Sequence, residues 1–97
     1  MKVNGKEYKI PELDFQAMCD IEDTGVSIVN MKEKFMKTIR GFVALAMGGD
    51  YEKAAFEIQQ HVMGGGDLTG IYEEITKAVE NSDFFQKIIK GSQEKKE

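Results

Sequence analysis

Few side chains in this 97-residue chain could carry chemistry. His61 and Cys19 are its single histidine and single cysteine. An imidazole can activate a thiol nucleophile when a third group orients the base. Here the two lie far apart in sequence, with no local signature and no obvious orienting group. They read as a surface histidine and a packed cysteine. A structural zinc site takes four ligands, mostly nitrogen and sulfur, and these two are the only candidates of those types. The run from Asp20 to Gly25 starts like a calcium loop, with Gly25 at the sixth position. The twelfth position, which must supply a bidentate carboxylate, is Met31, so the acids read as a solvated helix end. Gly64, Gly65 and Gly66 precede a helix start, where backbone N–H groups can hold a phosphate. No Lys or Ser follows in P-loop spacing, and Asp67 would repel an anion, so the stretch reads as a turn. Catalytic, cofactor-binding and metal-ligating residues are therefore all expected to be none, and the chain is not expected to be an enzyme.

One cationic cluster remains: Lys32, Lys34, Lys37 and Arg40, interrupted by Glu33. It reads as a solvated helix face, with contact to an acidic partner surface as the alternative. The net charge of −4 disfavours a general nucleic-acid binder, which needs a basic face to neutralise phosphates. No helix offers the Arg, Asn and Gln residues of a DNA-reading recognition helix. The opening residues lack the apolar run of a signal peptide, and no stretch approaches the length of a membrane span. A lone cysteine fits a reducing, cytoplasmic compartment.

The elements that position these groups follow from spacing. Asn4-Gly5, between short stretches of strand-like sequence, predicts a hairpin over about 2–9 with a type I′ turn. Asp14 is placed to cap a helix over 14–24, with Leu13 and Met18 at the hydrophobic-staple positions. Phe15, Met18, Cys19 and Ile21 supply its apolar side. Residues 26–29 read as a buried connection. The central element is 31–47, whose apolar arc covers about 200°, twice what a surface helix needs. Asn30 and Glu33 are spaced as a capping box for it. Its polar arc holds Glu33, Lys34, Lys37 and Arg40, with Gly41 and Ala44 beside them, and Gly48-Gly49 ends it. A helix over 51–63 follows, capped by Asp50, with Tyr51, Ala55, Ile58 and Val62 as its core stripe. Phe56 and Met63 lie on a separate face, which needs either a neighbouring element or a partner to cover it. A fourth helix over 68–81, capped by Asp67 or Thr69, buries Leu68, Ile71, Tyr72, Ile75, Ala78 and Val79. Glu73 and Lys77 are spaced as an ion pair on its outside. A last helix over 83–90, capped by Ser82 or by Asp83 with Gln86, carries Phe84, Phe85, Ile88 and Ile89 and ends at Gly91. Residues 92–97 read as a flexible tail. The expected fold is a mainly α single domain, a small bundle of about five helices around a central buried helix, with a short N-terminal β-hairpin.

Four segments carry a family resemblance: VNGKEY at the start, LDFQAMCDIEDTGVSI, the central TIRGFVALAMGG, and GGGDLTGIYEEITKAVENSDFF. Together they resemble the tail assembly chaperones of long, non-contractile-tailed bacteriophages and prophages of Gram-positive hosts. The resemblance spans 3–89. It implies a helical, non-enzymatic protein without cofactors that coats the tape measure protein and releases it as tail tube protein polymerises. It also implies self-association, action in the host cytoplasm, and a longer frameshifted form, for which Lys95-Lys96 could be encoded by a slippery run. No nucleic-acid or membrane partner is implied. The expected protein-binding residues are Phe56, Met63, Phe84, Phe85 and Ile89, with Lys37 and Arg40 as the cationic contribution. A small head–tail or tail subunit, or a helical regulatory protein, is the alternative.

Overall fold

Asn4 and Gly5 both take positive φ, 52° and 79°, the conformation a type I′ hairpin turn demands. They join strands β1 (Lys2–Val3) and β2 (Lys6–Glu7), which pair antiparallel with Lys2 opposite Glu7 and Val3 opposite Lys6. Such a ribbon is marginal alone. Val3 is fully buried and β1 packs on a helix, which supplies the missing support. The computed structural model of the chain describes residues 1–26 and 31–94. Among the described residues, five helices follow the hairpin: α1 (Phe15–Asp23), α2 (Phe35–Ala46), α3 (Tyr51–Met63), α4 (Thr69–Glu80) and α5 (Asp83–Glu94). The fold is mainly helical with a short N-terminal hairpin, and it measures 47 × 22 × 22 Å.

Helix α2 is the centre of the bundle. Thr38, Ile39, Gly41, Phe42, Val43 and Ala44 are all buried, and at 100° per residue they ring almost the whole helix. Gly41 and Ala44, expected beside the polar arc, belong to the packed surface. A Cβ on Gly41 would lie 2.5 Å from Val26 Cγ2 and 2.7 Å from Thr24 Oγ1. The absent side chain is what lets the end of α1 press onto α2. The positive φ of Gly48 and Gly49 ends the helix and turns the chain into α3, against which α2 makes its broadest contact.

Local capping follows the sequence in most places. Asp14 accepts from the Ala17 N–H at 2.9 Å and Asp50 from the Lys53 N–H at 3.0 Å. Asp67 takes the Thr69 and Gly70 N–H groups. Ser82, not Asp83, caps α5, accepting from the Phe85 N–H at 3.1 Å while donating to the Leu13 carbonyl at 2.9 Å. That second bond draws the start of α5 onto the connector before α1.

Local details depart from expectation in six further places. Helix α2 starts at Phe35, not residue 31, and its N-cap Lys34 makes no side-chain bond. Instead the Thr38 hydroxyl donates to the Met31 carbonyl at 3.0 Å and holds the preceding turn. Asn30, and 27–29 of the expected buried connection, lie outside the described residues. In α1 the buried residues are Ala17, Met18 and Ile21, while Phe15 is 67% exposed. In α3 the buried residues are Ala54 and Glu57, a rotation from the apolar stripe that leaves Val62 exposed. Lys77 sits 3.5 Å from Glu74, one residue nearer than the expected Glu73. The Gln86 amide donates to the Val79 carbonyl rather than completing a box with Asp83. Finally, α5 passes through Gly91 to Glu94, so 92–94 are helical and not tail. Lys95 and Lys96 lie outside the described residues.

Candidate protein-interaction surface

The buried side of α3 is set by Ala54, Glu57 and the half-buried Ile58 and His61. Counting 100° per residue from Ala54, Phe56 and Met63 fall at 200° and 180°, the outward pole of the helix. They are 61% and 76% exposed. No described element covers them. Two helical turns separate them, about 10.5 Å along the axis. Glu52, Lys53, Gln59 and Gln60 surround them, all exposed.

Why α3 is rotated this way is visible at its inner face. Glu57 is buried, with Lys6 Nζ 3.6 Å and Asn4 Nδ2 3.5 Å away. His61 Nδ1 accepts from the Asn4 N–H at 2.9 Å, and Nε2 lies 3.1 Å from the Asp67 carbonyl. Both imidazole nitrogens are thus committed to backbone groups, one in the hairpin turn and one in the glycine turn. A Cβ on Gly66 would sit 2.5 Å from Nε2, so the glycine run makes room for this ring. His61 is a structural clamp, and the glycines need no phosphate to account for them. Polar partners on the hairpin pull Glu57 and His61 inward, and Phe56 and Met63 point outward as a result.

The two cationic candidates are both engaged. Arg40 Cζ stands 3.6 Å from the Tyr51 ring centroid, and its Nε–H donates to the Tyr51 carbonyl at 2.9 Å. That pairing, about 0.5–1 kcal/mol for a partly exposed cation–π contact, staples α2 to the start of α3. Lys37 is exposed, with its ammonium over Gly25 at the end of α1, where a helix carries partial negative charge.

On α5 the expected residues separate. Phe85 is 0% exposed and belongs to the core, and Ile89 is half-buried against it. Neither is an open contact surface. Phe84 is exposed, and so is Ile88 one turn later. Sequence reasoning missed Phe15, whose ring meets Phe84 edge to face with centroids 6.1 Å apart. Its position next to the buried Met18 and Ile21 in an apolar pattern concealed it. Met36 is exposed as well, while its neighbour Phe35 turns its ring onto Tyr72 of α4, with centroids 4.9 Å apart.

No known protein family, curated protein or solved structure matches the chain. Its chemistry must be read from its own surface. Among the described residues, no three His, Cys, Asp or Glu side chains are grouped to hold a metal ion. Asp20, Glu22 and Asp23 lie on α1 as an exposed acidic helix end. No described helix is long and apolar enough to cross a membrane. What the surface offers is apolar side chains held outward on α1, α2, α3 and α5.

Proposed function

We propose that this chain is a tail assembly chaperone of long, non-contractile-tailed bacteriophages or prophages. It binds the tape measure protein in the host cytoplasm and keeps that long helical protein soluble until tail tube protein assembles around it. The resemblance of the four sequence segments supplies the family. The observation that carries the binding role is the placement of Phe56 and Met63 on the outward pole of α3. Their spacing suits the apolar face of an amphipathic helix, which repeats every seven residues. Methionine adapts to partners of varied shape, as a protein coating a long substrate requires. The reading needs no nucleotide and no cofactor. Each contact is weak, and many copies along one tape measure strengthen each other through effective concentration. Tail tube protein and a longer frameshifted form of the chain are the further partners it names.

The test is co-expression with a tape measure protein, scoring the soluble fraction and co-purification. The wild-type chain should hold the tape measure protein in solution. Phe56→Asp with Met63→Asp should lose it while the circular dichroism spectrum stays unchanged. Retained binding by the double variant removes α3 as the surface, and failure of the wild-type chain to bind any tape measure segment refutes the function.

A further inference from the structure

The charges of this chain are segregated. Residues 10–25 hold five acids, Glu12, Asp14, Asp20, Glu22 and Asp23, and no base. The whole chain has 17 acids and 13 bases, so the remainder is close to neutral and the net −4 resides in this one stretch. All five carboxylates are exposed, and none joins an ion pair among the described residues. The stretch spans α1 and its flanks, and α1 leaves one face unpartnered. At 100° per residue Phe15, Cys19 and Asp23 fall within about 80° of one another, opposite the buried Ala17, Met18 and Ile21. Helix α5 extends the apolar part of this face. Phe84 meets Phe15 edge to face, and Ile88, also exposed, follows Phe84 by one turn. Asp83 joins Glu12 and Asp14 around a depression of about 470 Å³ beside Phe84, which Pro11, Leu13 and Ala78 also line. Single exposed apolar residues are ordinary, whereas a contiguous group rimmed by polar residues marks an interaction site.

We propose that this face binds a cationic amphipathic helix of another protein. The helix lays its apolar stripe along Phe15, Phe84 and Ile88, and its lysines or arginines over the carboxylates. The depression takes one long basic side chain. Its alkyl stem packs on Pro11, Leu13 and Ala78 while its charged head reaches Glu12, Asp14 and Asp83. An arginine gains further from stacking on the exposed phenylalanine rings. Opposite charge steers the encounter and selects the partner, and the apolar contact holds it. Acidic helices are repelled, and so are nucleic acid and anionic membrane, whose phosphates carry the same sign as the face. Lys37, over Gly25, closes the acidic field at the end of α1, and Lys87 and Lys90 close it along α5. The face shares no residue with the Phe56 and Met63 pole and does not rest on the chaperone reading.

Fluorescence anisotropy with labelled synthetic peptides and the full chain tests it. The probe is a helix of about 14 residues with leucines along one stripe and lysines elsewhere. One control replaces the lysines with glutamates, and another keeps the composition but scatters the leucines around the helix. The wild-type chain should bind the probe at least about tenfold more tightly than either control. Phe15→Gln with Phe84→Gln should weaken that binding at least about tenfold. Asp20→Lys with Glu22→Lys, which flank the α1 stripe on its two sides, should do the same. Asp14 is left alone because it caps α1. Phe56→Asp with Met63→Asp should leave the binding unchanged, which separates this face from the α3 surface. Circular dichroism confirms that every variant is folded. A wild-type chain that does not bind the probe overturns the proposal, and so does equal binding of the scattered control or binding that survives the phenylalanine substitutions. Self-association of the wild-type chain that Phe15→Gln abolishes overturns it too, because a second copy then occupies the face.

Discussion

Replacing Gly41 with alanine should destabilise the fold, although alanine is the better helix former. In an unobstructed helix the exchange gains about 1 kcal/mol. At Gly41 the new Cβ meets Val26 Cγ2 at 2.5 Å and Thr24 Oγ1 at 2.7 Å. Separation from both must grow by about 1 Å to reach ordinary contact. Forcing a methyl group into a packed seam costs about 1–3 kcal/mol. Moving Thr24 also disturbs its hydroxyl bond to the Ile21 carbonyl, 2.6 Å long, for a further ~1 kcal/mol. The net loss is about 1–3 kcal/mol, or roughly 5–20 °C in Tm for a domain of this size. Gly70→Ala is the matched control, because nothing lies within 4 Å of its added Cβ. It should be neutral or stabilising by up to about 1 kcal/mol. Urea titration followed by circular dichroism measures both, with an unchanged m-value showing that only stability moved. A Gly41→Ala protein at or above wild-type stability would refute the packing of α1 against α2 described above.

Three further outcomes follow from two side chains. Ser82→Ala should cost about 2–4 kcal/mol, because it removes the cap of α5 and strands the Leu13 carbonyl; denaturant titration reads it directly. His61 should be the Nε2–H tautomer, since its Nδ1 accepts from the Asn4 N–H, and long-range proton–nitrogen correlation distinguishes the two ring nitrogens. His61→Ala should speed hydrogen exchange at the Asn4 amide while the amides of α2 stay protected.

What the sequence disclosed was whatever depends on near neighbours. Asn4-Gly5 required two positive φ angles and has them. Asp14 and Asp50 capped as placed, because a cap reaches only two or three residues. The central burial of α2 was legible in the width of its apolar arc. What stayed hidden depends on partners distant in sequence. The phase of α3 is set by Asn4 and Lys6, more than fifty residues upstream of Glu57, and no periodicity within α3 carries that information. Asn30 and Glu33 had the spacing of a capping box, yet the helix starts later, where the Thr38 hydroxyl reaches Met31. Adjacent phenylalanines were equally ambiguous. Phe84 and Phe85 point about 100° apart, and only the packing of α5 decides which is core and which is surface. Phe56 and Met63 could be singled out from sequence because they interrupt a polar face. Phe15 could not, because it continues an apolar one.

The bond between Ser82 and Leu13 has a kinetic meaning. It joins groups 69 residues apart, whereas α2 and α3 are neighbours across a short turn. Closing a long loop costs more entropy than closing a short one, so the pairing of α2 with α3 can form while the seam between α1 and α5 is still open. Interactions made late act mainly as brakes on unfolding. The hydroxyl of Ser82 is then less a builder of the domain than its latch, placed where α5 turns Phe85 into the core.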